Sequence, residues 1–64
     1  MTFCVTFGQD HPLRDNWIEV EAPNAEQARA RVFESFGSKW SFLYLKDEFN
    51  PKYFPGGKVG ITIE

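Results

Sequence analysis

From Thr2 to Phe7 apolar and polar side chains alternate without a break: Phe3, Val5 and Phe7 point one way, Thr2, Cys4 and Thr6 the other. The pattern returns between Trp17 and Ala22, where Ile18, Val20 and Ala22 oppose Trp17, Glu19 and Glu21. A period of two places successive side chains on opposite faces of a strand, so each segment reads as a strand with one buried face. Between them lies GQDHPLRDN, a stretch of turn-forming residues in which His11-Pro12 favours an extended, sharply reversing backbone. The simplest connection is a hairpin.

The period then changes. Asn24 is a good N-cap, Gln27 three residues later completes a capping-box pattern, and Gly37 supplies a left-handed residue to end the helix. Ala25, Ala28, Val32, Phe33 and Phe36 share one helical face, with Glu26, Ala30, Arg31 and Glu34 elsewhere. Arg29 falls inside the apolar arc and is expected to snorkel out along the sheet edge. A third strand follows over Lys39–Leu45. It sets Trp40, Phe42 and Tyr44 against Ser41, Leu43 and Leu45, and the aromatic row is expected to be the one beneath the helix. KDEFNPKYFPGG is a turn-rich connection with one helical turn around Asp47–Asn50, and Lys58–Glu64 reads as a last strand with Val59, Ile61 and Ile63 inward. The expected fold is α+β, a single domain over residues 1–64: an antiparallel sheet of about four strands in ββαββ order with one helix packed on a face.

A chain of 64 residues buries only about 60% of its unfolded surface, and large side chains must fill its core. Seven Phe, two Trp and two Tyr do so, which leaves little room for an enclosed substrate cavity. The net charge of −2 lacks the basic excess with which nonspecific nucleic-acid binders neutralise phosphates. One cysteine cannot form an internal disulfide, and one Cys with one His cannot make a structural zinc site, so a reducing cytoplasm and no metal or cofactor are expected. The N-terminal residues have no signal-peptide pattern, and no apolar run is long enough for a membrane.

Three sets of residues compete as a functional site. His11, with Asp10 or Asp15 as orienter, has the composition of an acid–base pair. No second histidine and no nucleophile motif accompany it, and the loop reads instead as a shaped turn. Cys4 has no base nearby in sequence and reads as a packing residue. Trp17, Trp40, Phe42 and Tyr44 have the character of a base-stacking platform, as in small sheets that bind single strands. Trp17 shares its face with Glu19 and Glu21, which is unfavourable for phosphates. Carboxylates form the third set: Glu19 and Glu21 on one strand face, Glu26 and Glu34 on the helix, Asp47 and Glu48 in the following connection. Spread over a small rigid fold, they present charge to a basic groove in place of nucleic-acid phosphates. Trp17, Leu43 or Leu45 would anchor such a contact.

Phe7–Gln9, His11–Arg14, Glu21–Pro23, Phe36–Gly37, Lys39–Trp40, Phe42 and Tyr44 give the chain an FGQ-HPLR loop, an EAP-plus-helix segment and an FG-KW-F-Y strand. In these it resembles short proteins carried by bacteriophages and prophages. In size, acidity and lack of a catalytic motif it is similar to anti-CRISPR inhibitors of type I (Cascade-type) systems. The resemblance implies a non-enzymatic, monomeric inhibitor in the host bacterial cytoplasm. Its partner would be the DNA-binding surface of a CRISPR effector subunit, and Glu19, Glu21, Glu26, Glu34, Asp47, Glu48 and Trp17 would be the contact residues. A single-stranded nucleic-acid-binding accessory protein using the aromatic sheet residues is the alternative.

Overall fold

A computed structural model describes all residues, 1–64. Strand β1 (Thr2–Thr6) pairs antiparallel with β2 (Asn16–Glu21), with Val5 opposite Ile18 and Phe3 opposite Val20. The two apolar rows are thus brought onto one face. Helix α1 (Ala25–Phe36) lies against that face, with the predicted Asn24 N-cap: its side chain accepts the Gln27 N–H at 2.9 Å, although the Gln27 side chain does not return to Asn24 to complete the box, and Gly37 takes φ 62°. Phe3, Val5, Phe7, Ile18, Val20 and Ala22 from the sheet side meet Ala28 and Val32 from the helix in one buried cluster.

Two helix assignments change. Phe33 is exposed, because it sits roughly 140° around the helix from Ala28, outside the arc that Ala25, Ala28, Val32 and Phe36 occupy. Arg31 rather than Arg29 runs to the sheet edge, where its guanidinium donates to the Glu21 carbonyl; Arg29 is exposed.

Strand β3 (Phe42–Leu45) pairs antiparallel with the other side of β1. Its register sets Leu43 opposite Val5 and Leu45 opposite Phe3, so the two leucines, not the aromatic row, lie beneath the helix. Phe42 and Tyr44 point to the opposite face. Trp40 does join the core, from the turn before β3, and its Nε1 donates to the Gly37 carbonyl at 3.1 Å. The regular ladder begins only after it: the Ser41 N–H already reaches the Thr6 carbonyl, whose residue pairs with Phe42. The expected phase of Trp40/Phe42/Tyr44 therefore breaks at Ser41.

The final strand differs most. β4 (Gly57–Lys58) lies parallel to β2, so the sheet is mixed and ordered β3-β1-β2-β4. Since β3 and β4 both run against β1, the chain between them must return across the sheet. It does so as a strap, Lys46–Gly56, built from two 3-10 turns (Lys46–Glu48 and Pro51–Tyr53). Parallel pairing needs a crossover of this kind. Beyond β4 the pairing with β2 resumes at Val20–Ile63 with two extra residues on the β4 side. Gly60, at φ 69°, marks the bulge, and it turns Ile61 to solvent while Val59 and Ile63 reach the core. No helix is long and apolar enough to cross a membrane.

Candidate binding surface

The strap determines what the second face of the sheet becomes. Phe49 packs on Trp17 at 5.1 Å between ring centroids, on Tyr44 at 5.8 Å and on Phe54 at 5.2 Å. Trp17 stands on β2 opposite Thr6, and Tyr44 stands on β3 opposite Cys4. Neighbouring strands are about 4.8 Å apart, so a ring in contact with both residues lies over β1. That placement explains why Cys4 and Thr6, the polar phase of β1, are only 1% and 3% exposed. The central strand is covered on both sides, by the helix on one and by the strap on the other.

Burial pushes the Cys4 thiol up to about 11, with the Glu19 carboxylate adding to the effect. A thiol so placed stays protonated near neutrality and is no nucleophile. His11 is anchored through one ring nitrogen, and its Nε2 makes no hydrogen bond within the chain. Its ring stacks on Phe7 at 4.5 Å, and its Nδ1 accepts the Leu13 N–H at 3.0 Å. The bonds His11 N–H to Gly8 O, Arg14 N–H to His11 O and Asn16 N–H to Leu13 O make the loop a series of linked turns. Neither Asp10 nor Asp15 hydrogen-bonds His11, and Arg14 pairs with neither aspartate. An open cleft of about 380 Å³ lies between this loop and the Ser38–Ser41 turn.

The predicted carboxylates separate into three groups. Glu19, with its side chain 13% exposed, holds Lys46 at 3.5 Å and Lys58 at 3.8 Å, tying the start of the strap and the β4 residue just beyond its end to β2. Glu21 receives the Met1 ammonium at 2.8 Å and the Thr2 hydroxyl at 2.6 Å, and these two hydrogen bonds hold its carboxyl below the usual carboxylate range. Both strand carboxylates are thus neutralised within the chain. Glu26 and Glu34 are exposed on the helix, on the other side of the sheet. Asp47 and Glu48 are exposed on the strap and have no ion-pair partner. The helix carboxylates and the strap carboxylates therefore stand on opposite sides of the sheet.

Two of the expected apolar anchors, Leu43 and Leu45, are packed in the core, and Trp17 is half-buried under Phe49 with its Nε1–H enclosed and unpartnered. The exposed apolar groups of the second face are instead Phe42, Tyr44 and Tyr53, the last 75% exposed. Phe42 and Tyr44 are 6.1 Å apart and continuous through Phe49 with Phe54. These rings form a ledge along β3 and the strap, with Asp47 and Glu48 beside it in the chain. Tyr53 lies in the proline-punctuated connection, where no strand periodicity marks it. Compared with protein-family models, curated proteins and solved structures, the chain matches none.

Proposed function

We propose that this protein is a non-enzymatic inhibitor that acts by occupying a surface of another macromolecule through its aromatic ledge. The observation that carries this reading is the gathering of Phe42, Tyr44 and Tyr53, exposed, on the sheet face away from the helix. Isolated exposed rings need no explanation, but a run of them on one face marks an interaction site. Aromatic anchors bordered by polar groups are how small interfaces concentrate binding energy. The Cys4 thiol is enclosed and held protonated, and His11 has no carboxylate orienter, which supports a binding role.

The likeness to phage-borne anti-CRISPR proteins supplies the partner: a type I effector complex in the host cytoplasm, held so that target DNA is kept from it. Of the acidic residues, Asp47 and Glu48 belong to this contact, and they meet Lys or Arg of the DNA-binding surface. Glu19 and Glu21 serve the fold. Glu26 and Glu34 stand on the helix, on the other side of the sheet from the ledge. The test is capture of an expressed type I effector complex on the tagged protein, with DNA binding by that complex measured alongside. Capture with loss of DNA binding is expected; an effector that neither binds nor changes its DNA affinity would refute the assignment.

The same exposed rings favour a second reading, a platform that stacks the bases of a single strand. It requires an oligothymidylate to bind at low salt and to release as salt rises. The inhibitor reading requires no such binding.

A further inference from the structure

We infer that the strap carries an aromatic cage for a cationic side chain, and that its occupant is an arginine of the protein partner. The cage is a cavity of about 210 Å³ lined by Tyr44, Glu48, Phe49, Asn50, Tyr53 and Phe54. Four of the six are aromatic. Phe49 and Phe54 stack at 27° and 5.2 Å, and Tyr44 tilts against Phe49 at 45° and 5.8 Å. Ring faces carry negative quadrupole potential, which attracts a cation within about 6 Å. Glu48 is the one charged residue of the lining, and it lacks an ion-pair partner in the chain.

The chain's own cations do not fill the cavity. Lys46 and Lys58 are turned to Glu19, and Lys52 is not part of the lining. An aliphatic side chain would cover the rings but would also strip water from the Glu48 carboxylate without replacing its hydrogen bonds, while the Asn50 side-chain oxygen already accepts the Lys52 N–H at 3.0 Å. A guanidinium meets both demands, since its plane stacks on an aromatic face while its N–H groups reach the carboxylate. The proposal rests on the reading of this face as a docking surface and specifies what docks.

The experiment uses the intact protein and two blocked amino acids, N-acetylarginine methylamide and its uncharged isostere N-acetylcitrulline methylamide. Each is titrated while the ring-proton NMR signals of Tyr44, Phe49, Tyr53 and Phe54 are followed. The arginine probe is expected to shift these signals saturably and to bind about tenfold tighter than citrulline. Glu48→Gln, a change at an exposed position, is expected to weaken arginine about three- to fivefold and leave citrulline unchanged. Tyr53→Ala is expected to weaken arginine as well. Equal binding of the two probes, or an unaltered arginine affinity in Glu48→Gln, overturns the cage. So does an oligothymidylate that shifts the same rings while arginine does not, since that makes the site a base-stacking surface. Capture of the effector complex by a protein that does not distinguish the probes removes the cage and leaves the docking surface standing. Arginine selectivity in a protein that captures no effector keeps the cage and removes that partner.

Discussion

Phe49→Ala removes the ring on which the second face of the sheet depends. Full truncation of a core Phe costs about 3–5 kcal/mol, and Phe49 is half-buried, which scales the loss to about 2–3 kcal/mol including its three aromatic contacts. A domain of this length has only ~3–10 kcal/mol of stability in total, so the change is large. Its local effect is more specific. Without Phe49 the strap opens over β1, and Cys4 becomes reachable. If labelling follows the population of the opened form, 2–3 kcal/mol raises the reaction rate of Cys4 with a disulfide reagent about 30- to 140-fold. The assay is urea denaturation followed by tryptophan fluorescence, paired with the labelling rate at a fixed, mildly alkaline pH. Phe33→Ala, an exposed ring on the helix, serves as control and is expected to stay within about 0.5 kcal/mol. A Phe49→Ala protein with unchanged urea midpoint and unchanged Cys4 protection would refute the strap as the cover of β1.

Other expectations follow from single contacts. Because the Cys4 thiol is raised from 9.0 to about 11 in the folded chain, the unfolded chain ionises first; its contribution to stability is complete below pH 9 and is lost as pH climbs toward 11. Cys4→Ala should flatten that alkaline limb of a pH-dependent denaturation series. Glu21 works in the opposite direction: its carboxyl is lowered from 4.5, so its contribution is present above that value and fades as pH falls below it, and Glu21→Gln should make the acid limb shallower. Gly56→Ala would place a Cβ 2.8 Å from the Asp15 carbonyl and 2.5 Å from the Asn16 amide, where the Gly56 N–H now bonds Asp15. Overpacking at this seam should cost about 1–3 kcal/mol, read as a lowered thermal midpoint.

The first half of the chain is legible in its sequence for a physical reason. In β1, β2 and α1 the apolar phase is nearly unmixed, with Cys4, Trp17 and Phe33 the exceptions, so the period states the element and the side that meets its partner across the core, and Asn24 and Gly37 mark the helix ends. β3 carries large apolar groups on both phases, and composition cannot choose between Phe42/Tyr44 and Leu43/Leu45. The register of Val5 with Leu43 makes that choice, and register is a property of the pair of strands. The direction of β4 is likewise set by where the strap lands. The candidate surface was hidden by the same ambiguity, because rings assigned to the core are the ones left in the open. The pairing of the strand carboxylates was hidden for a different reason. Glu19 is neutralised by Lys46 and Lys58, far along the chain, through a geometry that exists only once the sheet has formed.

Phe33 and Phe42 supply the most direct test of docking through the ledge, because both are 62% exposed but they stand on different layers of the molecule, the helix and the far face of the sheet. Each is changed to Ala, and capture of the type I effector complex is measured for both variants under the same conditions. Docking through the ledge predicts that Phe42→Ala weakens capture about tenfold or more while Phe33→Ala leaves it unchanged. Equal retention by the two variants, or a loss confined to Phe33→Ala, would contradict it.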